Sequence, residues 1–141
     1  MGLNALRTIG SGYEGVFSRR DLTPAQVERI RDLLAYFDDL LGEVKVVERR
    51  LFAHFTPPQQ GLLLFLRAIV SAPRLLILDE PSQGMDEVLW QRCRELLEEE
   101  WRTPQGREQA VVVVSHYEDE VPWEQGTGMT ARLIDGRITT E

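Results

Sequence analysis

Apolar residues in the first part of the chain recur at the spacing of a helix. This spacing predicts a short helix over residues 3–9. A second helix is predicted to start at Thr23, because threonine can cap a helix, Pro24 fits its first position and Gln26 completes a capping box. Its apolar positions continue at helical spacing to about Gly42, so one continuous helix is expected there.

The remainder of the chain alternates helical segments with short apolar runs. The predicted order is a helix from Thr56 to Val70, a strand at 74–78, a helix at 87–100, a loop at 103–107, a strand at 110–114 and a hairpin at 131–140. Both strands are continuous apolar runs, which is typical of strands buried in a parallel sheet. Asp135-Gly136 between short alternating runs indicates the hairpin. The order predicts an α/β domain with a parallel sheet.

Composition narrows the class of protein. The chain has 141 residues and a net charge of −7, which suits one acidic domain and argues against a dedicated nucleic-acid-binding protein. No apolar run reaches the roughly 18 residues of a membrane helix and no secretory signal is visible, so a cytoplasmic protein without membrane insertion is expected. The single cysteine, Cys93, lies in a helical pattern and is expected to be a buried, neutral thiol.

Two adjacent acids, Asp79 and Glu80, come directly after the first predicted strand. Ligands of open α/β sheets bind at this end of the strands. Asp79 could hold Mg²⁺, because hard cations prefer oxygen ligands, and Glu80 could polarise an attacking water as a general base. Adjacent acids are also common in ordinary loops, so a purely structural interpretation stays open.

Three further features have both a functional and an ordinary interpretation. His116 follows the second strand and could contact a phosphate, but taken alone it fits a solvated or packed side chain better. Asp86 starts a helix and could be a plain cap. The helix start at Thr56 could bind an anionic phosphate through its N–H groups, or it could only begin a helix.

Taken in order, these features resemble an ATP-binding cassette (ABC) ATPase. The matching elements are a signature-like helix start, a strand ending in Leu-Asp-Glu-Pro, a Gly-Met-Asp loop and a strand ending in Ser-His. The resemblance covers about residues 3–140 and is strongest over 48–120. It implies these roles: Asp79 as the magnesium-side acid, Glu80 as the general base, His116 as the γ-phosphate switch, Asp86 as the D-loop residue, and Thr56 and Gln59 as signature residues for a partner's nucleotide. It also implies ATP and Mg²⁺ as cofactors and another cassette as partner, and it allows a membrane transporter subunit.

A narrower resemblance concerns a cytosolic subgroup with two cassettes in tandem. The stretch Ser-Gly-Tyr-Glu-Gly at residues 11–15, the helix start at Thr23 and the sequence of residues 78–86 are similar to the ModF or photorepair (PhrA) proteins. This resemblance implies an ATPase of the molybdate-transport or photorepair type.

The sequence departs from the family at the phosphate-binding loop, whose pattern is GxxxxGK[ST]. Its one lysine, Lys45, stands between valines without glycines around it. The fold expected is therefore a partial P-loop NTPase, an ABC nucleotide-binding domain without its Walker A half: a helical subdomain with the signature helix at 1–73 and the second half of the α/β core at 74–141. Alone, such a chain is expected to be inactive, and either prone to aggregate or in need of a partner.

The signature is the second departure. Pro57 and Pro58 replace two glycines of LSGGQ, which removes two backbone N–H donors, although the same prolines could simply stiffen a helix start. Three functional hypotheses follow. The chain could be a segment of an ABC ATPase, a non-catalytic module that pairs with a complete cassette, or a truncated remnant without activity of its own.

Overall fold

The structure, a computed structural model, describes residues 2–13, 21–102, 109–117, 120–121 and 128–140, without the side chains of 101 and 102. The predicted loop at 103–107 and the glutamate and glycine at 14–15 lie outside these residues. The helices and strands are α1 (Ala5–Gly10), α2 (Pro24–Tyr36), α3 (Asp38–Leu41), α4 (Val44–Val47), α5 (Pro57–Ile69), β1 (Leu75–Asp79), α6 (Glu87–Arg102), β2 (Ala110–Val114), β3 (Ala131–Ile134) and β4 (Arg137–Thr140).

Capping boxes start the two longest helices of the first half. At α2, Thr23 N–H donates to Gln26 Oε1 at 2.9 Å, and Gln26 N–H donates to Thr23 Oγ1 at 3.2 Å. At α5, Thr56 N–H donates to Gln59 Oε1 at 3.0 Å. A cap of this kind contributes about 1 kcal/mol to the stability of a helix. The two helix starts predicted from the sequence are therefore confirmed.

The prediction of one continuous helix to Gly42 is wrong. The helix breaks at Phe37, whose backbone has φ −112° and ψ 21°, and α3 follows as a separate turn. The Phe37 side chain is wholly buried, so its packing overrides the helical spacing of the sequence. Gly42 ends α3 with a φ of +105°, a conformation that glycine adopts without strain.

The strands form two separate pairs. β1 and β2 run parallel, with Leu75 opposite Ala110 and Asp79 opposite Val114. β3 and β4 form an antiparallel hairpin, and the turn residues Asp135 and Gly136 have φ values of +49° and +76°. The parallel pairing and the Asp-Gly hairpin are both as the sequence predicts.

The expectation that β1 and β2 are buried strands is wrong for one of their faces. Leu76 and Leu78 point into the core, whereas Leu75 and Ile77 are 55% and 61% exposed. Val112 lies opposite Ile77 and is exposed on the same face. Side chains alternate between the two faces of a strand, and the described helices cover only one face of this pair.

One cluster of buried apolar side chains extends from α1 to α6. Its wholly buried members are Phe37, Ile9, Ile30, Leu34, Leu62, Leu63, Leu66, Leu97, Val47 and Cys93. The predicted burial of Cys93 is confirmed, and burial raises the pKa of its thiol to about 12. Because the cluster takes residues from both sides of position 73, the proposed division into two units stays a prediction. Within the described ranges, no helix has the length and apolar character needed to cross a membrane.

Candidate active site

A glutamate and a histidine from neighbouring loops meet at the carboxyl edge of the parallel strands. Glu80 follows β1 directly, and its N–H donates to the Val114 carbonyl at 2.7 Å, which extends the pairing with β2 by one residue. His116 lies two residues after β2. Its Nε2 is 2.9 Å from Glu80 Oε1. The sequence suggested these two residues separately, and the structure brings them together.

Both members of this pair can be reached by a ligand. The Glu80 side chain is 36% exposed and the His116 side chain 83% exposed. A carboxylate that accepts a hydrogen bond from an imidazole can exchange protons with it or with a nearby water. The pair therefore has the chemistry of a general base with a second proton carrier beside it.

The backbone at Glu80 is in a strained conformation. Its φ is +45°, in the left-handed region that residues with a Cβ rarely adopt. A residue held in such a region costs on the order of 1–3 kcal/mol, and such residues are concentrated at functional sites. The Gln83 N–H donates to the Glu80 carbonyl at 3.1 Å and helps to hold the turn.

Asp79, the last residue of β1, has an exposed side chain at the same edge of the sheet. Mg²⁺ in nucleotide sites commonly takes one or two protein carboxylates together with phosphate oxygens and waters. An accessible carboxylate beside Glu80 fits that donor set. Among the described residues, no group of three His, Cys, Asp or Glu side chains could hold a metal by itself. The role of Asp79 as a magnesium ligand stays a prediction.

Asp86 caps the helix that follows. Its Oδ1 accepts a hydrogen bond from the Leu89 N–H at 2.7 Å, at the start of α6. The ordinary interpretation of Asp86 as a helix cap is therefore correct, and its D-loop role stays a prediction. Met85, in the loop before Asp86, lies close to Gly61 of α5. A side-chain carbon added to Gly61 would be 3.5 Å from Met85 Cε.

Thr56 and Gln59 lie at the start of α5 and contact each other. The Gln59 side-chain oxygen is engaged by the Thr56 N–H, and Pro57 and Pro58 occupy the first two helical positions. Within the described part of the chain, no hydrogen bond or ion pair joins Thr56 or Gln59 to the pair of Glu80 and His116. Their signature role toward a second nucleotide stays a prediction.

Glu120 is a residue of this region that the sequence did not reveal. It is buried, and its carboxylate accepts hydrogen bonds from Ser82 and Ser115. Residues 118–120 are three acids in a row, and such a run usually lies in solvent. Only the fold shows that the third of them turns inward.

Comparison with known proteins finds relatives among ATP-binding proteins of transporters. An uncharacterized ABC transporter ATP-binding protein of Schizosaccharomyces pombe is 34% identical over 112 residues, which are 79% of this chain and 21% of that protein. The ABC transporter ATP-binding protein ModF of Escherichia coli is 34% identical over 105 residues, or 74% of this chain and 21% of ModF. The lipoprotein-releasing system ATP-binding protein LolD of Geobacter metallireducens is 31% identical, and the match covers 78% of this chain and 47% of LolD.

The match covers a small share of these relatives. The chain spans 21% of the length of the first two and 47% of LolD. No protein-family model matches the sequence. The relatives are thus ABC transporter ATP-binding proteins that are longer than this chain.

Solved structures share the fold at low sequence identity. A protein described as a metal-chelate type ABC transporter, in an inward-facing conformation, superposes with a TM-score of 0.72 and 19% identity over 100% of this chain and 53% of its own. An ATP-binding cassette in a dimeric, post-hydrolysis state with ADP and Pi gives a TM-score of 0.62 and 19% identity over 84% of this chain and 48% of its own. These likenesses confirm the predicted fold, that of part of a cassette.

Proposed function

We propose that this chain, whose relatives are ABC transporter ATP-binding proteins, is part of an ATP-binding cassette (ABC) and carries the hydrolytic half of an ATP site. Asp79 lies on the magnesium side, Glu80 is the general base and His116 contacts the γ-phosphate. The observation that supports this most is the 2.9 Å contact between Glu80 and His116 at the carboxyl edge of the strands. Open α/β sheets bind their ligands at this edge.

The pair suggests how the base is kept ready. ATP hydrolysis transfers the γ-phosphoryl group to water, and catalysis of this step rests mainly on positioning and electrostatic stabilisation. The Glu80 carboxylate accepts a proton from the attacking water. Before ATP arrives, the His116 N–H occupies one oxygen of that carboxylate. A phosphate oxygen that takes over this hydrogen bond leaves both oxygens of Glu80 open to the water.

The part of the site that holds the phosphates is proposed to come from a second polypeptide segment. The one lysine of the sequence, Lys45, lies within α4 between Val44 and Val46 and outside any glycine-rich loop. The apolar face of the strand pair, formed by Leu75, Ile77, Val112 and Val114, is exposed. A complementary half-cassette with GxxxxGK[ST] would cover this face and bring its lysine to the phosphates.

A second cassette is the proposed partner across the nucleotide. Asp86 and the Thr56–Gln59 helix start would face it, as the family resemblance implies. Pro57 and Pro58 each lack an N–H, and a hydrogen bond to a charged group is worth about 1.5–3 kcal/mol, so this signature face is expected to bind phosphate weakly. The likeness to ModF supports a molybdate-transport or photorepair type of role, with a membrane transporter subunit as a further partner. Placement in the cytoplasm stays a prediction.

The prolines favour a second candidate function. A chain whose signature has lost two donors could act as a non-catalytic module that pairs with a complete cassette. In that case the ATPase activity would belong wholly to the partner, and Glu80 would not affect it.

Turnover with and without Glu80 discriminates the two. The chain is mixed with a complementary half-cassette that carries GxxxxGK[ST], and Mg²⁺-dependent phosphate release is measured. We expect Glu80→Gln to abolish turnover and Glu87→Gln, an exposed acid at the start of α6, to preserve it. Turnover that survives Glu80→Gln would support the non-catalytic module. The chain alone is expected to show no micromolar, Mg²⁺-dependent binding of a fluorescent ATP analogue.

A further inference from the structure

The buried carboxylate of Glu120 accepts hydrogen bonds from both loops that carry the candidate catalytic pair. Resting on the proposed function, we propose that Glu120 is a positioning residue that holds Glu80 and His116 within hydrogen-bonding distance of each other. It acts through the two loops that carry them and touches neither ligand nor reacting atoms.

The two oxygens of Glu120 bind different loops. Oε1 accepts hydrogen bonds from the Ser82 N–H, at 2.9 Å, and from the Ser82 hydroxyl. Oε2 accepts the hydroxyl of Ser115, whose oxygen in turn accepts the Tyr117 N–H at 2.9 Å. Ser82 lies two residues after Glu80, and Ser115 directly precedes His116. One carboxylate therefore ties the loop of the base to the loop of the histidine.

Burial makes these hydrogen bonds hard to give up. Glu120 is only 4% exposed, and a carboxylate removed from water needs donors to offset its lost hydration. In the part of the chain that the structure describes, no arginine or lysine forms an ion pair with it. The serine donors must therefore stay in place, and this requirement fixes the separation of the two loops.

The main chain of Glu120 is anchored as well. The indole Nε1 of Trp90, on α6, donates to the Glu120 carbonyl at 3.1 Å. Trp90 is buried and packs edge-to-face on Phe65 of α5, with 6.1 Å between the ring centroids. The carboxylate is thus held against the two helices that pack beneath the site, and it can serve as a fixed point for both loops.

The histidine ring signals report this positioning without any nucleotide. The full chain is labelled with ¹³C at the histidine ring carbons. Its NMR spectrum then contains the ring signals of two residues, His54 and His116. In Glu80→Gln the His116 signal moves because its charged partner is gone. We expect Glu120→Gln, which keeps the size of the side chain but has one acceptor oxygen, to move the His116 signal in the same direction. Ser115→Ala, which removes the hydrogen bond from the Ser115 hydroxyl to Glu120, should move it too. The His54 signal should stay unchanged and serves as an internal reference.

Two results would overturn the proposal. One is a His116 signal at its wild-type position in both Glu120→Gln and Ser115→Ala while Glu80→Gln moves it. The other is a signal that none of the three variants moves, since the pair would then be absent in solution. A change of the His54 signal in Glu120→Gln would indicate general unfolding and would also count against positioning. Ser115→Ala is the milder variant, and it tests the same positioning with less disturbance of the fold.

Turnover gives a separate readout. With the complementary half-cassette, Glu120→Gln should lower kcat about 10- to 100-fold with KM for ATP unchanged, because misplacement of a catalytic group affects the transition state. Where Glu80→Gln abolishes turnover, equal kcat for Glu120→Gln and wild type would contradict the proposal. The histidine signals need no ATP, so they can support positioning by Glu120 even where turnover shows that Glu80 is no catalytic base.

Discussion

Arg29 on α2 and Glu100 on α6 form a two-pronged ion pair: Nη1 and Nη2 lie 2.7 Å from Oε1 and Oε2. The two residues are 71 positions apart, so this pair connects the helical first part of the chain to the part that carries the strands. The hydrogen bond to Glu100 raises the pKa of Arg29, which keeps the guanidinium charged. The pair is partly shielded from water, with 29% and 23% of the two side chains exposed.

Breaking this pair should destabilise the fold. A double-mutant cycle of Arg29→Met and Glu100→Gln is expected to give a coupling energy of about 1–2 kcal/mol in urea unfolding, since bidentate, partly buried pairs exceed surface pairs. The control is Arg7→Met, because Arg7 is exposed and lies 3.8 Å from Asp21. It should change the free energy of unfolding by less than about 0.5 kcal/mol. A coupling energy near zero for Arg29 and Glu100 would contradict this prediction.

The exposed face of the strand pair should govern self-association. Ile77→Thr together with Val112→Thr replaces two apolar side chains that lie opposite each other on the exposed face of the strand pair. We expect the double variant to remain monomeric at higher concentration than the wild type, because threonine suits strands and is more polar. Sedimentation velocity measures the outcome. Equal association of both proteins would show that another surface is responsible.

The opposite face of the same strand supplies a matched control. Leu76→Ala and Leu78→Ala shorten side chains that are buried in the core. Each is expected to cost about 2–5 kcal/mol of unfolding free energy, because a cavity is added to the lost burial. Ile77→Thr should cost far less.

Cys93 should report the opening of the core. It is wholly buried, and burial raises the pKa of its thiol to about 12, so almost none is thiolate at neutral pH. An aromatic disulfide reagent should therefore label the folded chain very slowly and the urea-unfolded chain at once, since the thiolate is the reactive form. The variant Cys93→Ser must show no labelling. Fast labelling under native conditions would mean that α6 opens easily.

Much of the fold follows from local signals in the sequence. Thr23-Pro24 and Thr56-Pro57 begin helices because caps and N-terminal prolines act within one turn. Asp135-Gly136 marks the hairpin for the same reason. The helix breaks at Phe37 because of packing between segments that are distant in sequence. The helical spacing of apolar residues does not predict that packing.

The candidate site could be predicted only in its individual residues. The places of Glu80 and His116 after two predicted strands indicate both residues, and parallel pairing brings the ends of those strands together. Their direct contact depends on a turn with positive φ at Glu80, which propensities do not predict for a glutamate. Glu120 could not be found at all, because its burial depends on Trp90 and on both serines.

The stability of the fold should depend on pH through Glu48. Its carboxylate pairs with the guanidinium of Arg31 at 2.8 and 3.2 Å, and this hydrogen bonding lowers the pKa of Glu48 below its ordinary value of 4.5. The folded chain thus binds this proton less tightly than the unfolded chain. The stabilisation from the pair is fully present above the unfolded pKa, and it is lost as the pH falls through the lower, folded pKa.

Two variants test this pH dependence. Glu48→Gln should lower the urea midpoint at pH 7 and make it fall less between about pH 5 and pH 3, where carboxylates of this kind titrate. Arg31→Met should flatten the profile in the same way, because the lowered pKa of Glu48 depends first on that partner. The midpoints of wild type and Glu48→Gln are expected to converge at the acid end, where Glu48 is neutral in both. A constant difference between them from pH 7 to pH 3 would show that the pair contributes by packing and that its charge adds little.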